Sequence, residues 1–162
     1  MATVQQTAPD FTLPGLDQRP YRLREALRQG PVLLAFCKST CGTCKLAFPY
    51  LERLWQTLGP TGWTLWAIAQ DRPDQAARFV RETGITFPVL LDTPDYAVSR
   101  LYDPEATPTL YLIDTDGRIV QTIGGFSKDA YNALAADLAR RLGREPVIIA
   151  PPDDGRPSFR PG

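Results

Sequence analysis

The run PVLLAF (Pro31–Phe36) contains no polar side chain. A strand with one face in water alternates apolar and polar residues, so a strand that is apolar throughout must be covered on both sides. That requirement calls for a sheet with helices packed on its two faces, an α/β fold.

The rest of the chain keeps the alternation. From Thr43 to Leu58, the residues Ala47, Tyr50, Leu51, Leu54 and Leu58 recur at helical spacing, and Gly59-Pro60 ends the segment. Pro49 falls inside that helix, deletes a backbone donor and is expected to bend the axis. WTLWAIAQ (Trp63–Gln70) reads as a second buried strand. A helix follows, with Pro73 just inside its start and Gly84 just past its end. FPVLLD (Phe87–Asp92) is a third strand and Asp95–Asp103 a short helix. EATPTLYLIDTDGRIVQTIGG (Glu105–Gly125) contains a strand, an Asp116-Gly117 turn and a returning strand. Ser127 is placed to cap a last helix with Tyr131, Leu134, Leu138 and Leu142 on one face, closed by Gly143. Trp55, Trp63 and Trp66 occupy positions expected to pack in the core.

At 162 residues and 43% hydrophobic, the chain is sized for one buried core. One domain is expected over residues 1–145. Residues 146–162, PVIIAPPDDGRPSFRPG, hold five prolines, and their composition predicts an irregular, solvated tail. Lysine plus arginine balances aspartate plus glutamate at 18 each, so no global field favours nucleic acid or an anionic membrane surface. The opening MATVQQTAPDFTL has no leader pattern, and no long apolar run follows. A cytoplasmic protein is therefore expected, or a periplasmic or secreted one had a leader been trimmed. The chain is expected to act as a monomer.

Chemistry concentrates in AFCKSTCGTCKLAFP (Ala35–Pro49), which holds all three cysteines of a chain without histidine. Three cysteines are too few for a disulfide scaffold. A structural zinc site wants four Cys or His ligands, which this chain does not supply, so neither metal nor cofactor is expected. The spacing of Cys41-Gly-Thr-Cys44 between a buried strand and a helix suits redox work. Unpaired N–H groups and the helix dipole favour a thiolate on Cys41, and Cys44 sits one turn later, in reach of a mixed disulfide formed there.

In this order, the segments APDF, PVLLAFCKSTCGTCKLAFP, FPVLLD, ATPTLYLIDTDG and QTIGG resemble the thioredoxin superfamily, specifically its TlpA/ResA-like thiol-disulfide oxidoreductase (redoxin) branch. The resemblance runs from about residue 8 to 142 and rests on the strand-end C-x-x-C, Pro49, the Thr107-Pro108-Thr109 run and the Asp-Gly hairpin. It implies a thioredoxin-like fold, a central mixed sheet flanked by helices with an N-terminal β extension. It further implies that Thr107-Pro108 is a cis-proline loop facing the cysteines, where an extended substrate segment would pair. The implied partners are a disulfide-bearing protein or small thiol substrate and an upstream electron donor.

The chain also departs from that pattern. Thr40 stands where tryptophan is usual, and Ala35 and Ala47 stand where relatives carry an acid thought to move a proton to or from the second thiol. Slow attack by Cys44 near neutral pH is the expected consequence. Gly42-Thr43 is an unusual dipeptide, and it tunes the potential in a direction the sequence leaves open. The Thr43 hydroxyl is a candidate partner for the Cys41 thiolate, beside the plainer reading of a helix-start residue. Cys37 reads as a buried small hydrophobe or as an alternative disulfide partner, and Lys38 as a loop charge or a modulator of the thiol pKa.

Two other functions deserve weighing. Peroxiredoxins share the APDF run, but the positions at which their signature needs proline and threonine hold Leu34 and Lys38 counted from Cys41, and Cys37 and Cys41 counted from Cys44. Neither frame fits. A binding module that keeps the fold without turnover is mildly favoured by the missing acid and tryptophan, and opposed by the intact C-x-x-C.

Overall fold

The computed structural model describes residues 1–162. It opens with the hairpin β1 (Thr12–Pro14) and β2 (Pro20–Arg22), followed by the short helix α1 (Leu23–Leu27). Next come β3 (Val32–Cys37), α2 (Gly42–Leu58), β4 (Thr64–Ala69), α3 (Pro73–Thr83) and β5 (Val89–Leu91). α4 (Ala97–Tyr102) leads into β6 (Thr109–Ile113), β7 (Ile119–Gly124) and β8 (Phe126–Ser127), then α5 (Lys128–Arg141) and β9 (Phe159–Arg160). The fold is thioredoxin-like, and the β1–β2 hairpin is the N-terminal extension expected from the sequence.

The main sheet has five strands in the order β5-β4-β3-β6-β7. β3 pairs in parallel with β4, and β4 with β5, so α2 and α3 are the crossovers those parallel pairs require. β6 and β7 complete the sheet antiparallel. β3 lies at the centre, every residue buried, as its unbroken apolar run demands.

Its side chains alternate between two cores. Leu33, Ala35 and Cys37 face a cluster with Cys44, Ala47, Leu51 and Leu54 of α2 and Leu134 and Leu138 of α5. Val32, Leu34 and Phe36 face the other, with Phe11, Leu23, Tyr102 and Tyr111. Each buried Leu or Phe contributes about 1.5–3 kcal/mol by leaving water, so these two layers dominate the stability. The tryptophans pack as expected: Trp66 joins the second core, and Trp63 is buried edge-on against half-buried Trp55.

α2 begins at its Cys41 cap and continues through Pro49 to Leu58. Ser127 caps α5 by accepting from the Ala130 amide at 3.1 Å. The peptide bond Thr107–Pro108 is cis, as the resemblance implied, and Thr93–Pro94 is a second cis bond that the sequence reading did not anticipate. No helix is long and apolar enough to cross a membrane.

Residues 146–162 are largely irregular and exposed, as their composition predicts, but the segment is not free: it returns to the domain and inserts Ile149 and Ala150, each 1% exposed, into the α2/α5 core. Asn132 on α5 holds it there, its side chain accepting from the Ile149 and Ala150 amides at 3.0 and 2.9 Å. Buried Lys128 donates to the Pro151 carbonyl at 2.8 Å and to Asp154 at 2.6 Å, while Tyr50 also donates to Asp154. Proline richness removed donors without removing the apolar Val147-Ile148-Ile149-Ala150 run, part of which decides the docking.

Candidate active site

β3 and β4 are parallel and end level with each other, Cys37 opposite Ala69. The loops that follow them therefore meet at one edge of the sheet. Asp71, buried just beyond β4, accepts from the Ser39 amide at 2.9 Å and the Ser39 hydroxyl at 2.6 Å. This fixes the loop from β3 to α2. The Cys41 amide donates to the Lys38 carbonyl at 3.0 Å, closing a turn that delivers Cys41 to the N-cap of α2.

At that cap the Cys41 sulfur takes the place usually held by a Ser or Asp oxygen. It accepts from the Cys44 amide at 3.1 Å, one of the N–H groups a helix start leaves without an internal partner. The Cys44 thiol, hydrogen-bonded to the Cys41 sulfur, is the largest influence on it, lowering its pKa to about 5 against partial desolvation, with help from the Thr107 hydroxyl and the Cys44 and Thr43 backbone amides. Negative charge on sulfur is thus the favoured state at neutral pH. The Thr107 carbonyl, 3.1 Å away, accepts from the Cys41 sulfur when that sulfur carries its proton.

Cys44 is the opposite case. It is fully buried within the α2 core, and desolvation drives its pKa far up, reinforced by its contact with Cys41. Ala35 and Ala47 are both buried in the same apolar cluster, so neither position supplies a carboxyl beside the thiol. The site pairs a half-exposed thiolate with a protonated thiol sheltered behind it.

The facing wall is the cis Thr107–Pro108 loop, held by the Gly125 amide donating to the Pro108 carbonyl at 2.8 Å. Tyr131, fully buried on α5, donates to the Gly125 carbonyl at 3.1 Å, and its burial raises its pKa. The sequence placed Tyr131 only on an apolar helix face. Its position behind Gly125 was not foreseen.

The structure sets the start of α2, with Cys41, Gly42, Thr43 and Cys44, against the cis Thr107–Pro108 loop. The Thr43 hydroxyl is not turned to the thiolate. It donates to the Pro161 carbonyl at 2.8 Å, and the backbone of Thr43 serves the sulfur instead. Lys38 is exposed, and the lowering of the Cys41 pKa comes from hydrogen bonds, against desolvation, rather than from its charge. Cys37 is fully buried and its pKa is raised chiefly by desolvation, so its packing is that of a small hydrophobe. Asp71 belongs to no motif legible in the sequence, because its reach to Ser39 depends on β3 and β4 ending level.

Comparison with known proteins agrees with this geometry. Residues 4–122 match the AhpC/TSA family. The chain is 32% identical over 123 residues to the thiol-disulfide oxidoreductase ResA of Geobacillus thermodenitrificans (strain NG80-2), covering 75% of this chain and 70% of that one. Among solved structures, a Chlorobium tepidum protein assigned as the thiol:disulfide interchange protein DsbE superposes with a TM-score of 0.78 at 28% identity, covering 88% of this chain and 100% of the other. A Bacteroides thetaiotaomicron protein assigned as a protein disulfide isomerase gives a TM-score of 0.80 at 26% identity, covering 89% and 92%. With a match of this extent and a cysteine-capped helix at the sheet edge, the chain belongs to the AhpC/TSA family, as a ResA-like, thioredoxin-fold thiol-disulfide oxidoreductase.

Proposed function

We propose that this protein exchanges disulfides with protein or small thiol substrates through Cys41 and Cys44. The Cys41 thiolate attacks one sulfur of the substrate disulfide, forming a mixed disulfide and releasing the other substrate sulfur as a thiolate. Cys44 then loses its proton and attacks the Cys41 sulfur. The Cys41–Cys44 disulfide forms, the second substrate sulfur leaves as a thiolate, and two electrons have passed from protein to substrate. A dithiol donor returns the pair to its reduced form. Run backwards, the same steps oxidise a substrate dithiol.

The observation that carries this reading is the Cys41 sulfur at the α2 N-cap, 3.1 Å from the Cys44 amide: hydrogen bonds from the Cys44 thiol and backbone favour its thiolate, while burial keeps the Cys44 thiol protonated. Thr107 and Pro108 form the wall against which an extended substrate segment would lie, and Gly42 and Thr43 form the floor. Insulin reduction with dithiothreitol provides the test. The intact protein accelerates it, Cys41→Ser abolishes the acceleration, and Cys44→Ser accumulates a mixed disulfide. No acceleration over the blank would instead favour a binding module.

A further inference from the structure

The segment that docks beside α5 does not stop at its anchor. Beyond Asp154 the chain turns at Gly155, which has a φ of 80° in the region glycine favours, and runs back toward the cysteines. Phe159 and Arg160 pair antiparallel with Ser127 and Phe126, and the Lys128 amide donates to the Ser158 carbonyl at 2.9 Å. The strand then passes between the two walls of the cleft. The Pro161 carbonyl takes the Thr43 hydroxyl, and the Arg160 guanidinium lies so close to Gly42 that a Cβ there would stand 2.8 Å from it. On the other wall, Gly162 packs against the loop so tightly that a Cβ on it would meet the Thr107 carbonyl oxygen at 2.7 Å. At Gly125, with φ of 70°, an added Cβ would lie 2.9 Å from the Arg160 carbonyl.

We propose that residues 158–162 are an intramolecular strap lying in the extended-peptide groove beside Cys41, which a polypeptide substrate must displace and a small disulfide need not. This rests on the disulfide-exchange reading above. The strap has the form of an occupant of that groove: extended, antiparallel to a free strand edge, joined largely through backbone groups to Thr43 and the Thr107 loop. It is also built to leave. Its side chains face solvent, Phe159 being 64% exposed, whereas the anchor residues Ile149 and Ala150 are 1% exposed and Lys128 3%. Exposed side chains with few apolar contacts mark a segment of low local stability on a stable base. Cys41 itself stays half-exposed, leaving a path for a small reactant.

The test compares oxidation of the reduced protein by insulin and by glutathione disulfide. A chain ending at Pro157 keeps the anchor and loses the strap. Gly162→Val keeps the whole chain and forces a Cβ into the Thr107 carbonyl. Both variants are expected to oxidise about tenfold faster with insulin, the factor for an open form that is roughly a tenth of the population, and to stay within about twofold with glutathione disulfide. In Cys44→Ser, hydrogen exchange of the amides of 158–162 is expected to accelerate in the insulin mixed disulfide and not in the glutathione one. Unchanged or slower insulin oxidation with a Cys41-dependent glutathione reaction intact would overturn the strap alone. An intact protein that reacts with neither disulfide would overturn the exchange reading beneath it.

Discussion

The Cys44 amide points at the Cys41 sulfur from 3.1 Å, so the residue proposed to resolve the mixed disulfide also helps to hold the proposed nucleophile as a thiolate. The backbone of residue 44 supplies the donor and its side chain supplies the second thiol. One helical turn achieves both, because N-cap and N3 positions are adjacent in space. Substituting the Cys44 side chain therefore leaves the backbone donor in place but alters the thiol contact that lowers the Cys41 pKa most.

Cys41 should stay reactive in mild acid. Its pKa is lowered to about 5, so alkylation by iodoacetamide is expected to hold its rate from pH 8 down to about 6 and to fall by half near 5. Cys44 and Cys37, both raised, are expected to remain unmodified in the folded protein. Peptide mapping after a short pulse reads all three. Preferential labelling of Cys44 would contradict the assignment of nucleophile.

The same shift makes the reduced protein's stability depend on pH. A thiol held below its ordinary 9.0 favours the folded state as thiolate, so this contribution is complete above pH 9.0 and is lost as pH falls through about 5. Urea midpoints of the reduced protein are expected to drop across that window more than those of Cys41→Ser. Thiolate stabilisation also favours the reduced form of the couple. The potential is expected to lie above the roughly −270 mV of thioredoxin. A value well below that would contradict the thiolate stabilisation inferred here.

Resolution by Cys44 is expected to be slow and steep in pH. With Ala35 and Ala47 in the apolar shell, the thiol finds no carboxylate at either position, so its rate should rise about tenfold per pH unit from 6 to 8 with the thiolate fraction. Ala47→Glu should flatten this profile while costing stability through the buried carboxyl. Stopped-flow decay of the mixed disulfide measures both. A flat profile in the unaltered protein would reveal a base that neither alanine explains.

Much of this is legible in the amino-acid sequence. The unbroken apolar run of β3, the helix punctuated by Gly59-Pro60 and the Asp116-Gly117 hairpin are local signals, and they fixed the element order and the place of Cys41 and Cys44. Contacts distant in sequence were not legible in the same way. Thr43 could be read as a partner for the thiolate because the sequence around it is all that a local reading sees, yet its acceptor lies at Pro161. Asp71 carries no local motif, since its role depends on two parallel strands ending level. The docking of 146–162 was missed because composition speaks for backbone freedom, whereas two buried side chains and one buried lysine decide where the segment goes.

Asp71→Asn is expected to loosen the cysteine loop without unfolding the sheet. The carboxylate accepts from both the amide and the hydroxyl of Ser39. Replacing one oxygen by an NH2 leaves a buried donor facing donors, a cost of about 1–3 kcal/mol. Faster exchange of the Ser39 and Cys41 amides, with slower insulin reduction, is the expected pattern. Unchanged exchange would mean that the turn at Lys38 suffices by itself.

The anchor of the docked segment should survive acid better than an ordinary ion pair. Lys128 is nearly buried, and its ammonium and the Tyr50 hydroxyl hold the Asp154 carboxyl well below its usual 3.8. A depressed carboxyl contributes stability that is complete above 3.8 and lost only as pH falls through the lower folded value. The amides of Ile149 and Ala150 are therefore expected to keep their exchange protection down to pH 4. In Asp154→Asn the lysine charge remains buried with only carbonyls for partners, and protection should fall at neutral pH as well. Exposed pairs such as Arg72–Asp74 provide the control, since removing them should change little. If Asp154→Asn left the exchange of residues 149–150 as slow as before, the apolar insertion alone would be holding the segment, and the Lys128 pair would be a consequence of docking rather than a cause.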